Sequence, residues 1–261
     1  MPKRQSPHSG PSGYKWTGER ILETDPVCAN SPLLEEHVAR YRFAAGLVKG
    51  KKVLDAACGT GYGSDLMIKE GAREVIGIDI SEEAIQHARR MYSGKGRRFL
   101  VMDASRLKLP AGSFDAAVSF ETIEHLKRWR EFPAGLAKAL KKGGMLILST
   151  PNRLTYSGDI KHNHFHYKEF EPEELEGLLR RHFSYVRMFY QRKKEKKGAK
   201  AKLLGKAIAI YNKVGKKAYT RPLPPALRKV GRHAEGLSAD VNIHPLEKGI
   251  EPLYLVAVCR R

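Results

Sequence analysis

The sequence predicts a doubly wound α/β fold with a mostly parallel sheet. Three observations lead there. Short apolar runs of strand length alternate with amphipathic runs through most of the chain. The first apolar run, Val53 to Ala57, leads through glycines at 59, 61 and 63 into the amphipathic run Tyr62–Glu70, which is a strand, a glycine turn and a helix. The next run, Glu74–Asp79, ends in an acid 20 residues after Gly59, the offset at which a carboxylate meets ribose hydroxyls in nucleotide-binding folds.

The elements follow in order. Ser31–Gly50 reads as a helix with Leu34, Val38, Tyr41, Ala45 and Val48 on one face and Gly50 as its stop. Asp79 closes the second strand, and Ser81-Glu82-Glu83 opens a helix with a cap and first-turn acids. Arg97–Met102 is the third strand and Phe114–Phe120 the fourth. Pro133–Leu140 continues a helix that Lys141-Lys142-Gly143-Gly144 ends. Met145–Thr150 is the fifth strand, Glu171–Arg181 a helix, Phe183–Tyr190 the sixth strand and Pro252–Val258 the last.

At 261 residues and 41% apolar content the chain has room for one sizeable domain and additions. No stretch of 18 apolar residues predicts a membrane span. The start, MPKRQSPHSGPSGYKW, has no apolar core of a secretory signal and reads as a flexible segment over residues 1–29. The three cysteines, Cys28, Cys58 and Cys259, are scattered. That excludes a clustered zinc site and predicts a reducing, cytoplasmic setting. The net charge of +20 is concentrated: residues 187–232 hold 16 Lys or Arg against one acid, Glu195, leaving +5 for the rest. The expected organisation is a core over residues 30–190, a Lys-rich insertion over 191–251 and the final strand over 252–261.

Within that insertion, Leu203, Leu204, Ala207, Ile208, Tyr211, Val214 and Ala218 fall on one helical side, with Lys202, Lys206, Lys213, Lys216 and Lys217 on the other. Such a surface suits an anionic membrane, which would give the protein a peripheral location, or the phosphates of RNA. A solvated charge run is the plain alternative. Stacking aromatics are sparse there, which disfavours single-stranded RNA readout.

A dinucleotide loop, G-x-G-x-x-G, would need glycine at Ser64. The spacing present is G-x-G-x-G with Asp55 four residues ahead of Gly59. In this the chain resembles the class I S-adenosylmethionine (SAM) methyltransferases, with Ala57 where that motif often has its first glycine. The resemblance implies a Rossmann-like, seven-stranded, mostly parallel sheet whose last strand inserts antiparallel between strands five and six. It also implies SAM contacts at Asp55, Ala57, Gly59, Gly61, Asp79, Ile80, Asp103, Ala104 and Phe120. Asp103 would accept from the adenine amine or be a plain turn acid. Thr17–Arg20 and His37–Ala44 resemble a lid segment in which an arginine holds the SAM carboxylate. Arg40 is the candidate, with a solvated helix face as its alternative.

After the fourth strand, Glu121, Glu124 and His125 stand at i, i+3 and i+4, one face if helical. E-x-x-E-H resembles the ubiquinone-biosynthesis O-methyltransferases and the small-RNA 3′-terminal 2′-O-methyltransferases, and Ser149–Asn152 and His164–Phe170 continue the likeness. It implies a divalent ion, Mg²⁺ or Mn²⁺, on Glu121, Glu124, His125 and His166. Alternatively, Glu121 lies near SAM while Glu124 and His125 pack the loop, and His125 or His166 is a general base. His162 and His164 are acceptor-site groups or part of a polar loop. The Asn/Asp-Pro-Pro-Tyr run of DNA amino-methylating enzymes is absent, and no cysteine is placed as a C5 nucleophile. The expected acceptor is a hydroxyl on a small molecule or amphiphilic lipid. An RNA ribose 2′-hydroxyl is second, and a SAM-binding module without catalysis third.

Overall fold

The protein's structure is a computed structural model that describes residues 32–156, 165–191, 243–246 and 253–261. The expected flexible start, the basic amphipathic run at 202–218, His162 and His164 lie outside the described residues.

Helix α1 (Pro32–Leu47) leads into β1 (Lys52–Ala56), α2 (Tyr62–Lys69), β2 (Glu74–Asp79), α3 (Glu82–Tyr92), β3 (Arg97–Val101) and β4 (Phe114–Phe120). Then come α4 (Phe132–Ala139), β5 (Leu140–Pro151), the single turn α5 (Arg153–Tyr156), α6 (Pro172–Arg180), β6 (Tyr185–Gln191), β7 (Ile243–Pro245) and β8 (Tyr254–Arg260). The strands form one sheet in the order β3-β2-β1-β4-β5-β8-β6-β7. β8 pairs antiparallel with both β5 and β6, as the resemblance implies.

Side-chain alternation builds the two layers. Val53 and Val75 face one side with Ala116, Val118 and Ile147, where α1 and α2 cover them through Phe43, Ala44, Val48 and Met67. Leu54 and Ile76 face the other side with Ala117, Leu146 and Leu148, under Leu136 of α4 and Leu175 and Leu179 of α6. α3 begins at Ser81, whose hydroxyl accepts from Ala84 N, and packs Ile85 and Ala88 on Phe99. α6 begins with Pro172 at its first turn and a reciprocal Glu171–Glu174 capping box.

Three elements differ from expectation. β5 starts at Leu140, which pairs with Phe114. The ladder then slips, and pairing resumes at Met145 with Ala116, so the Lys141–Gly144 segment bulges at the strand's start. Ile243–Pro245 lies inside the expected insertion but is an eighth strand, paired antiparallel with Phe189–Gln191. Gln191, expected to open the insertion, is a buried end of β6. The insertion's sheet-facing boundary therefore moves past it.

The chain order reverses between β1 and β4, which neighbour each other while β2 and β3 run off to one side. The crevice at the carboxyl ends of β1 and β4 is where such a sheet takes its ligand.

Candidate active site

The three glycines after β1 have three different reasons. At Gly59, φ is +55°, and a side chain would meet nothing within 4 Å. This is open space at the end of β1, into which a ligand can lie against bare backbone. At Gly61, φ is +90°, and a Cβ would stand 2.7 Å from Ala88 Cβ and 2.9 Å from Phe99. That glycine lets α2 start against α3 and β3. At Gly63, a Cβ would overlap the ring of Tyr41. Ala57, which stands where the motif often has its first glycine, also has a left-handed φ of 65°.

Asp55 sits beneath this loop, fully buried. Its two oxygens accept from Ser64 Oγ at 2.6 Å and Tyr41 OH at 3.2 Å. The Tyr41 ring packs edge-on against Phe120 at 5.0 Å. Asp55 and Phe120, both expected ligand contacts, thus face Tyr41 from below. Burial raises the Asp55 carboxyl to about 7, against the hydrogen bonds from Ser64 and Tyr41. A raised carboxyl favours its neutral form in the folded chain. Its contribution to stability is full below the unfolded value near 3.8 and is lost as pH rises through about 7. Asp55→Asn should flatten that part of the stability–pH curve of the ligand-free protein. Urea melts at a series of pH values check it, and an unchanged curve would assign the titration elsewhere.

Asp79, at the end of β2, braces the loop. Gly59 N donates to its Oδ2 at 3.0 Å and Ser81 N to its Oδ1 at 2.9 Å. Beside it Ile80 is a 64% exposed apolar side chain. Asp103 caps the 3₁₀ turn Ala104–Arg106 by accepting from Ser105 N at 2.8 Å, and Ala104 is buried. The turn-acid alternative therefore describes one of its oxygens.

Arg40 is fully buried, so its solvated-face alternative is excluded. Its Nη1 donates to Gln191 Oε1 at 2.6 Å, and the guanidinium lies 4.4 Å from the Tyr254 ring centroid. Its Nε and Nη2 are buried with no hydrogen-bond partner among the described residues. Leaving such donors unmet is costly, and they mark a place for an anionic or carbonyl group.

The E-x-x-E-H segment is not an α-helix. Glu121 has φ of 47°, and only Ile123–His125 forms a 3₁₀ turn. Glu121 turns to Ser149, whose hydroxyl donates to its Oε1 at 2.6 Å. Three side chains do come together: Glu124, His125 and His166 offer ligand atoms all within 4.8 Å of one another. Glu121, expected as a fourth ligand, is not among them. Thr150 Oγ1 donates to Glu124 Oε2 at 2.9 Å, while Glu124 Oε1 is buried with no partner among the described residues. Burial pushes the Glu124 carboxyl well above the usual range, and the Glu121 charge adds to it.

The His166 segment is tied to this turn by Tyr167 N donating to Glu124 O at 2.7 Å. The two imidazoles meet edge-on at 4.8 Å. His125 Nδ1 lies 3.0 Å from Phe165 O. A carbonyl only accepts, so Nδ1 carries the proton and Nε2 the lone pair. His166 Nδ1 is 2.8 Å from Glu169 Oε1. Two imidazole nitrogens and a carboxylate are a donor set suited to a divalent ion. Octahedral Mg²⁺ ligands sit roughly 3–4 Å apart, so the three atoms need only a small closure. Sequence reasoning missed Ser149, Thr150, Tyr41 and Glu169 as partners. Glu169 carried a signal, a carboxylate three residues after His166.

The comparisons with known proteins agree on kind. The family described as "Methyltransferase domain" matches residues 54–148. A probable S-adenosylmethionine-dependent methyltransferase of Mycolicibacterium smegmatis is 37% identical over 171 residues, 65% of each chain, so this chain spans just under two thirds of that relative's length. A ubiquinone biosynthesis O-methyltransferase of Xanthomonas axonopodis pv. citri is 34% identical over 59% of this chain and 70% of its own. A crystal structure of a SAM-dependent methyltransferase from Archaeoglobus fulgidus superposes with a TM-score of 0.58 at 21% identity, covering 89% of this chain and 96% of that one, and it shares the fold.

Proposed function

The chain belongs to the SAM-dependent methyltransferases, and from that premise we propose that it transfers the methyl group of SAM to a hydroxyl of a small molecule or lipid. The observation that carries the reading is one shared edge: the glycine loop with Asp79 ends β1 and β2, and the Glu124–His125–His166 cluster follows β4 and β5. A donor and an acceptor bound along that edge would lie side by side, the main requirement of a transfer whose methyl is already activated.

SAM supplies a sulfonium-activated methyl. Gly59 and Gly61 would run along its amino-acid end, and the unmet Arg40 N–H groups would suit its carboxylate. Asp79 would accept from the ribose diol, Ile80 would cover the ring plane, and Asp103 and Ala104 would border the adenine. Tyr41 and Asp55 hold the loop and Phe120 from beneath. The Xanthomonas relative is named an O-methyltransferase, which supports an oxygen acceptor.

At the acceptor, the Nε2 lone pair of His125 or His166 takes the hydroxyl proton as general base. Alternatively, the same two nitrogens and Glu124 would hold Mg²⁺ or Mn²⁺, their lone pairs then committed to the ion and the acceptor proton passing to solvent. That ion would contribute Lewis-acid polarisation of the acceptor oxygen. The test is transfer from tritiated SAM to a catechol and to RNA ending in a free ribose diol, in EDTA and after Mg²⁺ or Mn²⁺ add-back. Loss in chelator and rescue by metal, both abolished in Glu124→Ala with SAM binding retained, is the expected result. Full activity in chelator, with no metal by elemental analysis, overturns the ion and leaves the histidine base. Transfer to the RNA alone would replace the small-molecule acceptor, and residues 192–232 would then be the basic surface to test at two salt concentrations.

A further inference from the structure

Glu169 has no part in the reading above, and it lies outside residues 54–148, which the family model matches. Its carboxylate stands 2.8 Å from His166 Nδ1, with the side chains only 12% and 5% exposed. A carboxylate accepts and does not donate, so the contact puts the proton of a neutral His166 on Nδ1. Free neutral imidazole in a peptide favours the other tautomer, with the proton on Nε2. The ring is therefore held in the form it does not choose for itself.

The local chain explains the contact. His166 and Glu169 are three residues apart in the segment that precedes α6. Tyr167 N and Lys168 N both point to Glu124 O, at 2.7 and 3.3 Å, which pins the backbone between them to the 3₁₀ turn. His166 and Glu169 thus flank that anchor and meet beside the His125 ring.

We infer that Glu169 is a positioning residue that fixes His166 with Nδ1 protonated and Nε2 turned to the chemistry. The inference rests on the reading of His166 as a working residue of this site. Phe165 O does the same for His125, so both imidazoles present the same nitrogen. Glu169 differs from that carbonyl in adding a full negative charge, which makes His166 the more electron-rich of the two rings. Without the carboxylate the proton returns to Nε2, and the nitrogen that would accept a proton or bind an ion becomes a donor.

The experiment uses full-length protein labelled with ¹⁵N-histidine, as wild type, Glu169→Ala and Glu169→Gln. Wild type should show the Nδ1-protonated pattern for the resonance that disappears in His166→Ala. Glu169→Ala should move it to the Nε2-protonated pattern. Glu169→Gln keeps an accepting oxygen and should restore the tautomer. Mn²⁺ titrated alone should bind Glu169→Ala tenfold to a hundredfold more weakly, the usual cost of losing a partner behind a ligand. SAM affinity should stay within about twofold, because the glycine loop is untouched. A wild-type tautomer in Glu169→Ala overturns the inference. So does an equal loss of SAM and Mn²⁺ affinity, because Glu169 then holds the whole segment rather than one ring. Full transfer activity in His166→Ala would overturn the role given to His166, and the tautomer result would stand apart from it.

Discussion

Gly63→Ala should destabilise the protein by about 3 kcal/mol or more, the upper range for overpacking a tight core site. On its own terms the substitution should help. Gly63 lies in the first turn of α2 with no positive φ, and Ala in a helix is about 1 kcal/mol better than Gly. The Tyr41 ring reverses the sign. The three atoms nearest to a Cβ at Gly63 all belong to that ring. The ring cannot step aside, since its hydroxyl is held by Asp55 and its edges by Phe120 and Tyr62 at 5.0 and 5.7 Å. Urea unfolding checks the loss. The same substitution made in a Tyr41→Ala background should be neutral or stabilising, a coupling of opposite sign that identifies the ring as the cause. A more stable Gly63→Ala in the wild-type background would refute the contact. The third glycine of the motif therefore serves the seating of α1, and α1 in turn carries Tyr41 and Arg40 to the site.

Much of the sheet is legible in the sequence because apolar runs punctuated by glycine and capping residues decide it locally. β2 and β4 have their expected bounds, and Ser81 caps α3 as its position before two acids implies. What was illegible depends on distant partners. For Arg40 the sequence leaves a ligand-holding arginine and a solvated helix residue both open, until Gln191, 151 residues later, and Tyr254 supply a polar partner and a ring. β7 is three residues long, too short for periodicity, and exists through pairing with the end of β6. The i, i+3, i+4 spacing of Glu121, Glu124 and His125 would put all three on one face only in a helix. Ile123 is instead fully buried in the core and Glu121 takes a left-handed φ, so the chain makes one tight turn. Backbone strain of that kind gathers at functional sites, and here it splits Glu121 from the residues that share a cluster.

Asp79→Ala should weaken SAM binding at least a hundredfold. A ribose diol donating to this carboxylate accounts for about 1.5–3 kcal/mol, as a hydrogen bond to a charged group does. The structure adds a second loss. Asp79 also accepts the N–H groups of Gly59 and Ser81, and each, left without its partner near a closed loop, costs about 1–3 kcal/mol. Water will meet part of that cost where the crevice is open, so the two losses do not sum in full. At 1.4 kcal/mol per tenfold, the ribose bonds alone give roughly tenfold to a hundredfold, and the slackened loop carries the loss past that. Asp79→Asn separates the two parts. Its single oxygen can brace one of the two N–H groups while its amide nitrogen repels the other. Its loss should therefore fall between those of wild type and Asp79→Ala. Amide hydrogen exchange at Gly59 and Ser81 reports the brace, and calorimetry with SAM reports the ligand. Unchanged affinity in Asp79→Ala would remove the ribose contact from this residue. Lost affinity with both amides still protected would leave the diol as the whole effect. Faster exchange at Gly59 in step with the lost affinity would show that the carboxylate works largely by holding the loop open in the shape the ligand needs.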